Sequence, residues 1–420
     1  MSDTMAATGR GLPGWVKRWL AILLVGLCGW GAYLWHRARP PRDLIRPSPV
    51  SPSGTARIET PPGRLYEVNG YPVLELSGTP EEMGEAHGRL VGDTIRRVVA
   101  DVLRPETEPA RHARILKAAA IMERYQPEPY RRELAALAKA AGVDYMEMAA
   151  LQLFGDAERG RMPREDVPAE DVHQCSHYAV FGPATETGEC IVGRNFDYWY
   201  EDVARYASLL IYYRPADGND FVTVSWAGVI NGWSLMNEHG LVGANNNAYS
   251  SDESLAGIST CFLQRLIMEN AATVAEGIEI ARRGPRAVGT VMLLAGGDPP
   301  DAVELEFDHA ALVVRPAKEG YVLATNAFRA FGLAGPLQDD PRAKDRYGTL
   351  LNLILKNHGR IGRDMNFAAA PGVPMWSINL HCAMFFPSDR TFLVSMGKAP
   401  ASNGPFRRFR MTEAGIVGTE

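Results

Sequence analysis

The spacing of apolar positions changes near the middle of the chain. Before residue 160, apolar residues recur three or four apart, which predicts helices. The clearest helix begins at the capping box Thr79-Pro80-Glu81-Glu82 and continues through Met83, Leu90, Ile95, Val98 and Val102. Further helices are predicted over residues 110–124, 129–141 and 145–154, after one short strand over 71–76. The part of the chain before residue 160 is therefore expected to be mainly helical.

Beyond residue 175, short runs rich in β-branched and aromatic residues alternate with turns, which predicts strands. These runs cover residues 177–181, 190–196, 208–213, 221–226, 232–236, 241–244, 291–295, 303–307, 311–314, 321–324, 376–386 and 391–396. Two helices are predicted among them, over 259–282 and 342–356. Many antiparallel-looking strands with a few long helices are typical of an α+β layered domain.

Glycines on the first long helix lie four apart, at Gly84, Gly88 and Gly92. Interior glycine weakens a helix, so this stripe predicts close packing against a neighbouring element. Close approach to the part of the chain beyond residue 175 is the second interpretation. His87 lies beside the stripe and is expected to be a packed or hydrogen-bonded histidine.

The amino-terminal region is predicted to lie outside the folded domain. The run Trp19–Trp35 is uncharged and apolar, with Lys17 and Arg18 before it. Its length still falls within the range for a membrane-spanning helix, at the short end, so we expect an uncleaved anchor after a tail at residues 1–18. A cleaved signal peptide followed by secretion is the alternative. In both cases the body is expected to be exported, with residues 36–64, rich in Pro, Ser and Arg, as a linker.

Bulk composition excludes some functions. The net charge is −5 and no Lys/Arg block forms, which argues against nucleic-acid binding. The five cysteines (Cys28, Cys175, Cys190, Cys261 and Cys382) follow no CxxC or zinc-ligand spacing, so neither a metal site nor a disulfide framework is predicted. No cofactor is expected.

Cys175 is the candidate nucleophile, because it begins a predicted strand and the block Gly193-Arg194-Asn195-Phe196-Asp197 ends the next one. A cysteine attacks carbonyls as its thiolate and needs a base. The residues alone leave three candidates for this base. One is the distant His381, and another is a neighbouring histidine, His173 or His177. The third is the α-amine of Cys175 itself, with a pKa near 8, which exists only if the bond after Gln174 is cut.

Several blocks, in order, resemble the N-terminal-nucleophile (Ntn) hydrolases. They are Cys175 with the Gly193–Asp197 block, Met236–Leu241 followed by Asn245-Asn246-Asn247, Leu323–Asn326, Arg346, and the upstream segment Thr79–Gly88. The last is similar to the leader of the isopenicillin-N (acyl-CoA:6-aminopenicillanic acid) acyltransferase family of autoproteolytic enzymes. The resemblance covers roughly residues 65–410.

This resemblance implies a fold and a division of the chain. The expected fold is an Ntn-type four-layer αββα sandwich, preceded by a helical leader and the amino-terminal anchor. Residues 65–174 would be the leader and become a small chain, and residues 175–420 would be the catalytic region. Cleavage is expected between Gln174 and Cys175, with the two chains remaining associated.

The resemblance also implies roles. Cys175 would attack the amide carbonyl, and its freed amine would move the proton. Asp197 would hold that amine, and Arg194 would support the thiolate or substrate. Asn247, with backbone N–H groups, would stabilise the oxyanion. Asn326 and Arg346 would complete the hydrogen-bond network.

Some assignments stay open at this point. Any of the three asparagines 245–247 is available for the oxyanion, and Arg342 competes with Arg346. Gln174 stands where relatives often carry a small residue such as Gly, which predicts slower self-cleavage. His381 is expected to be structural, as are Cys190, Cys261 and Cys382.

The predicted activity is hydrolysis or acyl transfer on a small N-acyl amide through a thioester. A Cys-His thiol hydrolase using His381 and a non-catalytic, membrane-tethered binding module are the alternatives. Aromatic residues suggest an apolar acyl pocket but are more often core. They are Trp199, Tyr200, Trp226, Trp233 and Tyr249.

Overall fold

The computed structural model describes residues 62–104, 109–159, 174–330, 332, 333 and 335–419. The predicted anchor at 19–35, most of the linker, and His173 lie outside the described residues. Among the helices within the described ranges, none is long and apolar enough to cross a membrane.

Sixteen strands are present in these ranges. They are β1 Gly63–Val68, β2 Tyr71–Gly78, β3 Ser176–Val180, β4 Ile191–Asp197, β5 Ser208–Pro215, β6 Phe221–Trp226, β7 Ser234–Asn237, β8 Val242–Asn247, β9 Thr290–Gly296, β10 Asp301–Phe307, β11 Leu312–Pro316, β12 Tyr321–Ala324, β13 Asn379–Phe386, β14 Thr391–Met396, β15 Arg407–Thr412 and β16 Gly415–Gly418.

Eight α-helices accompany the strands in the same part of the chain. They are α1 Pro80–Leu103, α2 Pro109–Met122, α3 Glu128–Ala141, α4 Tyr145–Arg159, α5 Glu201–Ala207, α6 Thr260–Asn270, α7 Val274–Arg282 and α8 Pro341–Asn357.

The strands form two sheets that pack face to face. The nine-stranded sheet has the order β1-β2-β5-β6-β7-β8-β9-β10-β11, and the seven-stranded sheet has the order β12-β3-β4-β13-β14-β15-β16. Buried apolar residues of both sheets, including Leu210, Val242, Val192 and Phe385, share one core cluster. Alternation along each strand sends one set of side chains into this core and the other set outward.

Helices cover the outer faces of both sheets. Helices α1 to α4, α6 and α7 contribute to a cluster with outward residues of the nine-stranded sheet, such as Leu74 and Ile211. Helix α8 packs Leu350 and Ile354 against Tyr178 and other outward residues of the seven-stranded sheet. The order of layers is therefore helix, sheet, sheet, helix, and the α+β prediction is confirmed insofar as helices and sheets are mixed in one fold.

The segment before Cys175 is not only helical. Strands β1 and β2 begin the nine-stranded sheet, and β2 pairs in parallel with β5. Sequence patterning missed β1 because no residue of this edge strand is fully buried, and the exposed Leu65 obscures the alternation of the core-facing Tyr66 and Val68. The segment before Cys175 thus supplies both strands and helices to the same body.

Three helix predictions were correct in kind, and two of them need adjustment in extent. The capping box at Thr79 and Glu82 is present, and α1 begins there. The helix predicted over 259–282 is two helices, because Thr273 and Glu276 form a second capping box that starts α7. Helix α4 continues to Arg159, five residues beyond its predicted end at residue 154.

The glycine stripe of α1 packs against α3, as the sequence suggested. A side-chain carbon added at Gly88 would lie 2.7 Å from the carbonyl oxygen of Leu137. Helices α1 and α3 thus approach too closely at this point for any larger residue.

Candidate active site

Cys175 lies directly before β3 and is 6% exposed. Its backbone nitrogen donates a hydrogen bond of 2.9 Å to Oδ1 of Asn326. Its carbonyl oxygen accepts a hydrogen bond from Nη2 of Arg346. The backbone on both sides of the Cys175 Cα is therefore held by two residues that the sequence singled out.

Asn326 reaches Cys175 because of strand register. Strand β12 pairs antiparallel with β3, placing Ala324 opposite His177. Asn326 follows two residues later and so arrives beside Cys175. Its Nδ2 donates to the carbonyl oxygen of Asn247 at 2.8 Å, so one amide side chain joins the ends of β3, β8 and β12.

Arg346 lies in the first half of α8 and is 5% exposed. The hydroxyl of Thr325 donates to the carbonyl of Ala343 at 3.0 Å, which fastens α8 to the end of β12. Arg346 donates from Nε to the carbonyl of Val373 at 2.9 Å and from Nη1 to Oε1 of Gln174 at 2.8 Å. Arg342, the competitor, hydrogen-bonds with Asp340 at 2.9 Å.

Asp197, at the end of β4, is fully buried. Its carboxylate accepts from Nδ2 of Asn379 at 2.7 Å and from the backbone nitrogen of Met375 at 3.0 Å. Burial raises the pKa of Asp197 to about 6, against the opposing charge of Arg346 and the hydrogen bonds from Asn379 and Met375.

Asp197 was predicted to hold the Cys175 nitrogen, but Asn326 accepts the hydrogen bond from that nitrogen instead. Asp197 acts on the site through charge, since its carboxylate favours the protonated form of Arg346. Burial alone lowers the pKa of Arg346, and Asp197 is the largest opposing influence. Asp197 thus helps to keep charged the guanidinium that holds the Cys175 carbonyl.

Arg194 is buried with 0% exposure and supports strand β8. Its Nη2 donates to the carbonyl of Asn245 at 2.7 Å, and its Nη1 donates to Oδ1 of Asn246 at 3.1 Å. Arg194 therefore holds Asn245 and Asn246 in place.

The three consecutive asparagines have different surroundings. Asn246 donates to the carbonyl of Thr325 at 2.9 Å and is fully buried. Asn245 donates to the side chain of Gln264. Asn245 and Asn247 line the pocket beside Cys175, and Asn247 is the less buried of the two. Asn247 is therefore the more accessible of the two pocket-lining asparagines.

A cavity of about 50 Å³ opens beside Cys175. Aromatic side chains of Phe196, Tyr198 and Trp233 form much of its wall. Their rings stack, with the Phe196 and Trp233 centroids 4.3 Å apart. Of the aromatic residues considered from the sequence, Trp233 lines this cavity, whereas Trp226 is buried in contact with Trp233 and Trp199 is 46% exposed.

Comparison with protein families gives a match for the model of the acyl-coenzyme A:6-aminopenicillanic acid acyl-transferase family over residues 184–399. The matched stretch is just over half of the chain and includes Arg194, Asp197, Asn247, Asn326 and Arg346. It begins after Cys175. The chain belongs to this family. The family resemblance inferred from the sequence is thereby confirmed.

Two curated proteins are similar in sequence to this chain. An uncharacterised protein of Archaeoglobus fulgidus is 23% identical over 250 residues, which are 54% of this chain and 42% of that protein. Protein dcd1B of Dictyostelium discoideum is 21% identical over 277 residues, 58% of this chain and 52% of that protein. The chain therefore spans about half the length of the curated relatives it matches.

Solved structures give further similarities. An N-acylethanolamine-hydrolyzing acid amidase ortholog of Caenorhabditis elegans is 14% identical, with 51% of this chain and 93% of that chain covered and a TM-score of 0.40. A variant of the conjugated bile acid hydrolase of Clostridium perfringens is 12% identical, with 59% and 97% covered and a TM-score of 0.44. Penicillin V acylase of Agrobacterium tumefaciens is 13% identical, with 59% and 98% covered and a TM-score of 0.36.

Three buried histidines of this acyl-transferase family member each make a polar contact. His381 pairs with the hydroxyl of Ser234 at 2.8 Å and stacks on Phe196, and burial lowers its pKa well below the ordinary value. His177 pairs with Glu304 at 2.9 Å, both fully buried between the sheets. His87 accepts from the backbone nitrogen of Gly228 at 2.9 Å, and burial lowers its pKa to about 3.

The remaining described cysteines are free thiols in unreactive surroundings. Burial raises the pKa of Cys190 to about 12 and raises those of Cys261 and Cys382 further. Within the described ranges, no group of three or more His, Cys, Asp and Glu side chains is arranged to hold a metal ion.

Sequence reasoning missed two polar partners and one wall of the site. Asn379 binds Asp197, and Asp340 binds Nε2 of Gln174 at 3.1 Å. The pocket wall includes Leu151, Phe154 and Asp156 of α4, from before Cys175. In the sequence at 379–381, only His381 has the chemistry of a candidate base, so Asn379 was not predicted. Helix α4 carries no motif that signals a pocket.

Proposed function

We propose that this chain is a Cys-nucleophile amidohydrolase or acyltransferase that activates itself by cutting the bond between Gln174 and Cys175. The layers of helix, sheet, sheet and helix are then the Ntn-type αββα sandwich. The observation that carries the proposal is the position of Cys175. Its nitrogen and its carbonyl oxygen are both held by buried polar residues, and its side chain borders a cavity.

Self-cleavage begins with an N-to-S acyl shift. The Cys175 sulfur forms a bond to the carbonyl carbon of Gln174 while the bond from that carbon to the Cys175 nitrogen breaks. The thiol proton ends on the nitrogen, which becomes a primary amine. Water then hydrolyses the thioester, leaving a carboxylate on Gln174 and restoring the thiol.

The freed amine becomes the catalytic base. With one N–H donated to Asn326 Oδ1, the nitrogen lone pair of the neutral amine is available to the Cys175 thiol. An α-amine has a pKa near 8, which suits proton transfer close to neutral pH. The amine takes the thiol proton as sulfur attacks the substrate carbonyl and returns it to the leaving amine.

Oxyanion stabilisation is assigned to the side chain of Asn247. Its backbone is tied to Asn326, and Arg194 fixes the two preceding residues. A fixed donor costs little reorganisation when charge develops, and removing one such donor typically slows turnover about 10²- to 10³-fold. The acyl group would then enter the aromatic cavity, and its thioester would pass to water or to another amine.

The segment before Cys175 is proposed to stay bound after cleavage, so that the leader at residues 65–174 belongs to a small chain ending at Gln174 and residues 175–420 form a large one. A buried cluster crosses the proposed boundary: Arg265 of α6 donates to Glu133 of α3 at 2.7 Å and to Glu269 at 2.8 Å. Tyr130 donates to Glu269 at 2.6 Å. Size-exclusion chromatography of cleaved protein should give one peak containing both chains, and two separate peaks would contradict the assignment.

Membrane attachment through residues 19–35 is proposed from the uncharged apolar run alone. The body would then lie outside the cytoplasm. Carbonate extraction of membranes from expressing cells tests this. The full chain should stay in the pellet, whereas a chain lacking residues 1–61 should be released.

The activity test is a small library of N-acyl amides assayed with wild type and Cys175→Ala. Hydrolysis or acyl transfer by wild type that is lost in Cys175→Ala supports the proposal, as does an acyl adduct on the Cys175 peptide in mass spectra of quenched reactions. Equal turnover by both proteins would reject it.

A further inference from the structure

Gln174 is buried with 0% exposure, and both ends of its side-chain amide are bonded. Its Oε1 accepts from Nη1 of Arg346 at 2.8 Å, and its Nε2 donates to Oδ2 of Asp340 at 3.1 Å. A cation faces the amide oxygen and a carboxylate faces the amide nitrogen. This pairing matches a carboxamide in both polarity and orientation.

The three residues Gln174, Arg346 and Asp340 form what we call the carboxamide clamp. Arg346 also donates to the carbonyl oxygen of Cys175. One guanidinium therefore holds residues on both sides of the Gln174–Cys175 bond. With the Cys175 nitrogen fixed by Asn326, the peptide group between the two residues has little freedom to rotate.

Asp340 is equipped to act as an acceptor. Its side chain is 9% exposed, and although burial raises its pKa, hydrogen bonds from Arg342 lower the pKa below the ordinary value. Asp340 is thus ionised near neutral pH. A buried amide without such a partner is unfavourable, so the carboxylate favours the observed side-chain conformation of Gln174.

We propose that Asp340 is a positioning residue for self-cleavage, acting through the side chain of Gln174 to orient the Gln174 carbonyl toward the Cys175 thiol. The inference rests on the proposed self-processing function. The step it assists is the formation of the sulfur–carbon bond at Gln174 as the carbon–nitrogen bond to Cys175 breaks. On this proposal, the bulky Gln174 side chain assists self-cleavage, whereas the sequence predicted that it would slow it.

Asp340 has a second, structural role that the test must separate. Its Oδ1 accepts from the backbone nitrogen of Arg342 at 2.8 Å and so caps α8. Asparagine is as good a cap as aspartate. Asp340→Asn therefore keeps the cap but places an amide N–H₂ group against the N–H₂ group of Gln174.

The experiment measures the rate constant for appearance of the Cys175 amino terminus in freshly made precursor, by intact mass over time. Asp340→Asn should slow cleavage about 10- to 100-fold, as misplacement of reacting groups by about 1 Å does. Gln174→Glu alone should also be slow, because two carboxylates then face each other. The double variant Gln174→Glu/Asp340→Asn should recover most of the rate, because the carboxylate introduced at 174 accepts from Arg346 and from the amide introduced at 340.

Asp339→Asn is the matched control. Asp339 has a 91% exposed side chain and pairs with Lys344. The Asp339→Asn precursor should therefore be cleaved at the wild-type rate. The melting temperatures of all variants are compared, and Asp340→Asn should match wild type within a few degrees.

Two failures are distinguishable. If wild type never acquires Cys175 as an amino terminus, the proposed self-processing is wrong. If wild type cleaves and Asp340→Asn cleaves equally fast, or the double variant is as slow as the single ones, the positioning role of Asp340 is overturned while self-processing stands.

Discussion

The backbone nitrogen of Cys175 and Oδ1 of Asn326 are 2.9 Å apart, joining the residue before β3 to the residue two positions after β12. The same asparagine donates from Nδ2 to the carbonyl of Asn247. Asn326 thus connects the proposed base with the proposed oxyanion donor. Its sequence neighbours alone do not reveal this, because the link depends on antiparallel pairing of β3 and β12.

Asn326→Ala should lower kcat by about 100-fold, within the range that positioned proton transfer contributes. The amine of Cys175 loses the acceptor that orients its lone pair, and Asn247 loses its anchor. Steady-state kinetics on cleaved protein measure this. Asn357→Ala is a suitable control, since the Asn357 side chain donates to the Leu353 carbonyl of its own helix, and this variant should keep full activity. Equal effects of the two substitutions would contradict the role of Asn326.

Asn247→Ala should lower kcat about 10²- to 10³-fold with little change in KM, as loss of an oxyanion donor does. Asn245→Ala removes a neighbouring pocket amide that is bonded to Gln264, and its effect on kcat should be much smaller. Parallel kinetics of the two variants decide which asparagine faces the oxyanion. A larger loss with Asn245→Ala would assign the role to Asn245.

His381→Gln should leave kcat/KM within about 10-fold of wild type, because a general base would be worth about 10²- to 10⁴-fold. Glutamine is able to keep a hydrogen bond with Ser234. A Cys-His mechanism requires His381 to accept the thiol proton, so near-complete loss of activity in folded His381→Gln protein would favour that mechanism.

Asp197 should make the protein less stable as pH rises from about 4 to about 6. Its pKa is about 6 in the folded state and 3.8 ordinarily, so over this interval the folded chain keeps a proton that the unfolded chain has lost. The free energy of unfolding then falls with increasing pH, by roughly 3 kcal/mol for this group.

Urea unfolding of Cys175→Ala, which should remain one chain, is compared with Cys175→Ala/Asp197→Asn at pH 4 and pH 7. The double variant should lose less stability over this interval, because the amide does not titrate. Glu133, whose pKa burial raises to about 7, changes stability with the same sign in both proteins and cancels in the comparison. Identical pH dependence of the two proteins would contradict the assignment of a raised pKa to Asp197.

The sequence predicted those parts of the fold that local patterning controls. The capping box at Thr79 placed the start of α1, and the run 190–196 placed β4 to within a residue. Strand β1 was missed because its core-facing residues, Tyr66 and Val68, are only partly buried and the exposed Leu65 obscures their alternation. The break between α6 and α7 was missed because the apolar pattern continues across it.

The site was predictable where residues occur in compact blocks, and not where it depends on distant packing. Cys175, Asn326 and Arg346 were named from the sequence, and the structure brings them into direct contact. Asp340 was overlooked because its partner, Gln174, is distant in sequence, and nothing local marks the pair. The contribution of α4 to the pocket likewise arises from packing of helices on the nine-stranded sheet.

The most direct test of the account is the amino-terminal sequence and intact mass of fully active protein. The account predicts a large chain that begins with Cys175 and a separate chain that ends with Gln174. Cys175→Ala should remain uncut. Fully active protein in which the Gln174–Cys175 bond is still intact would contradict the central claim.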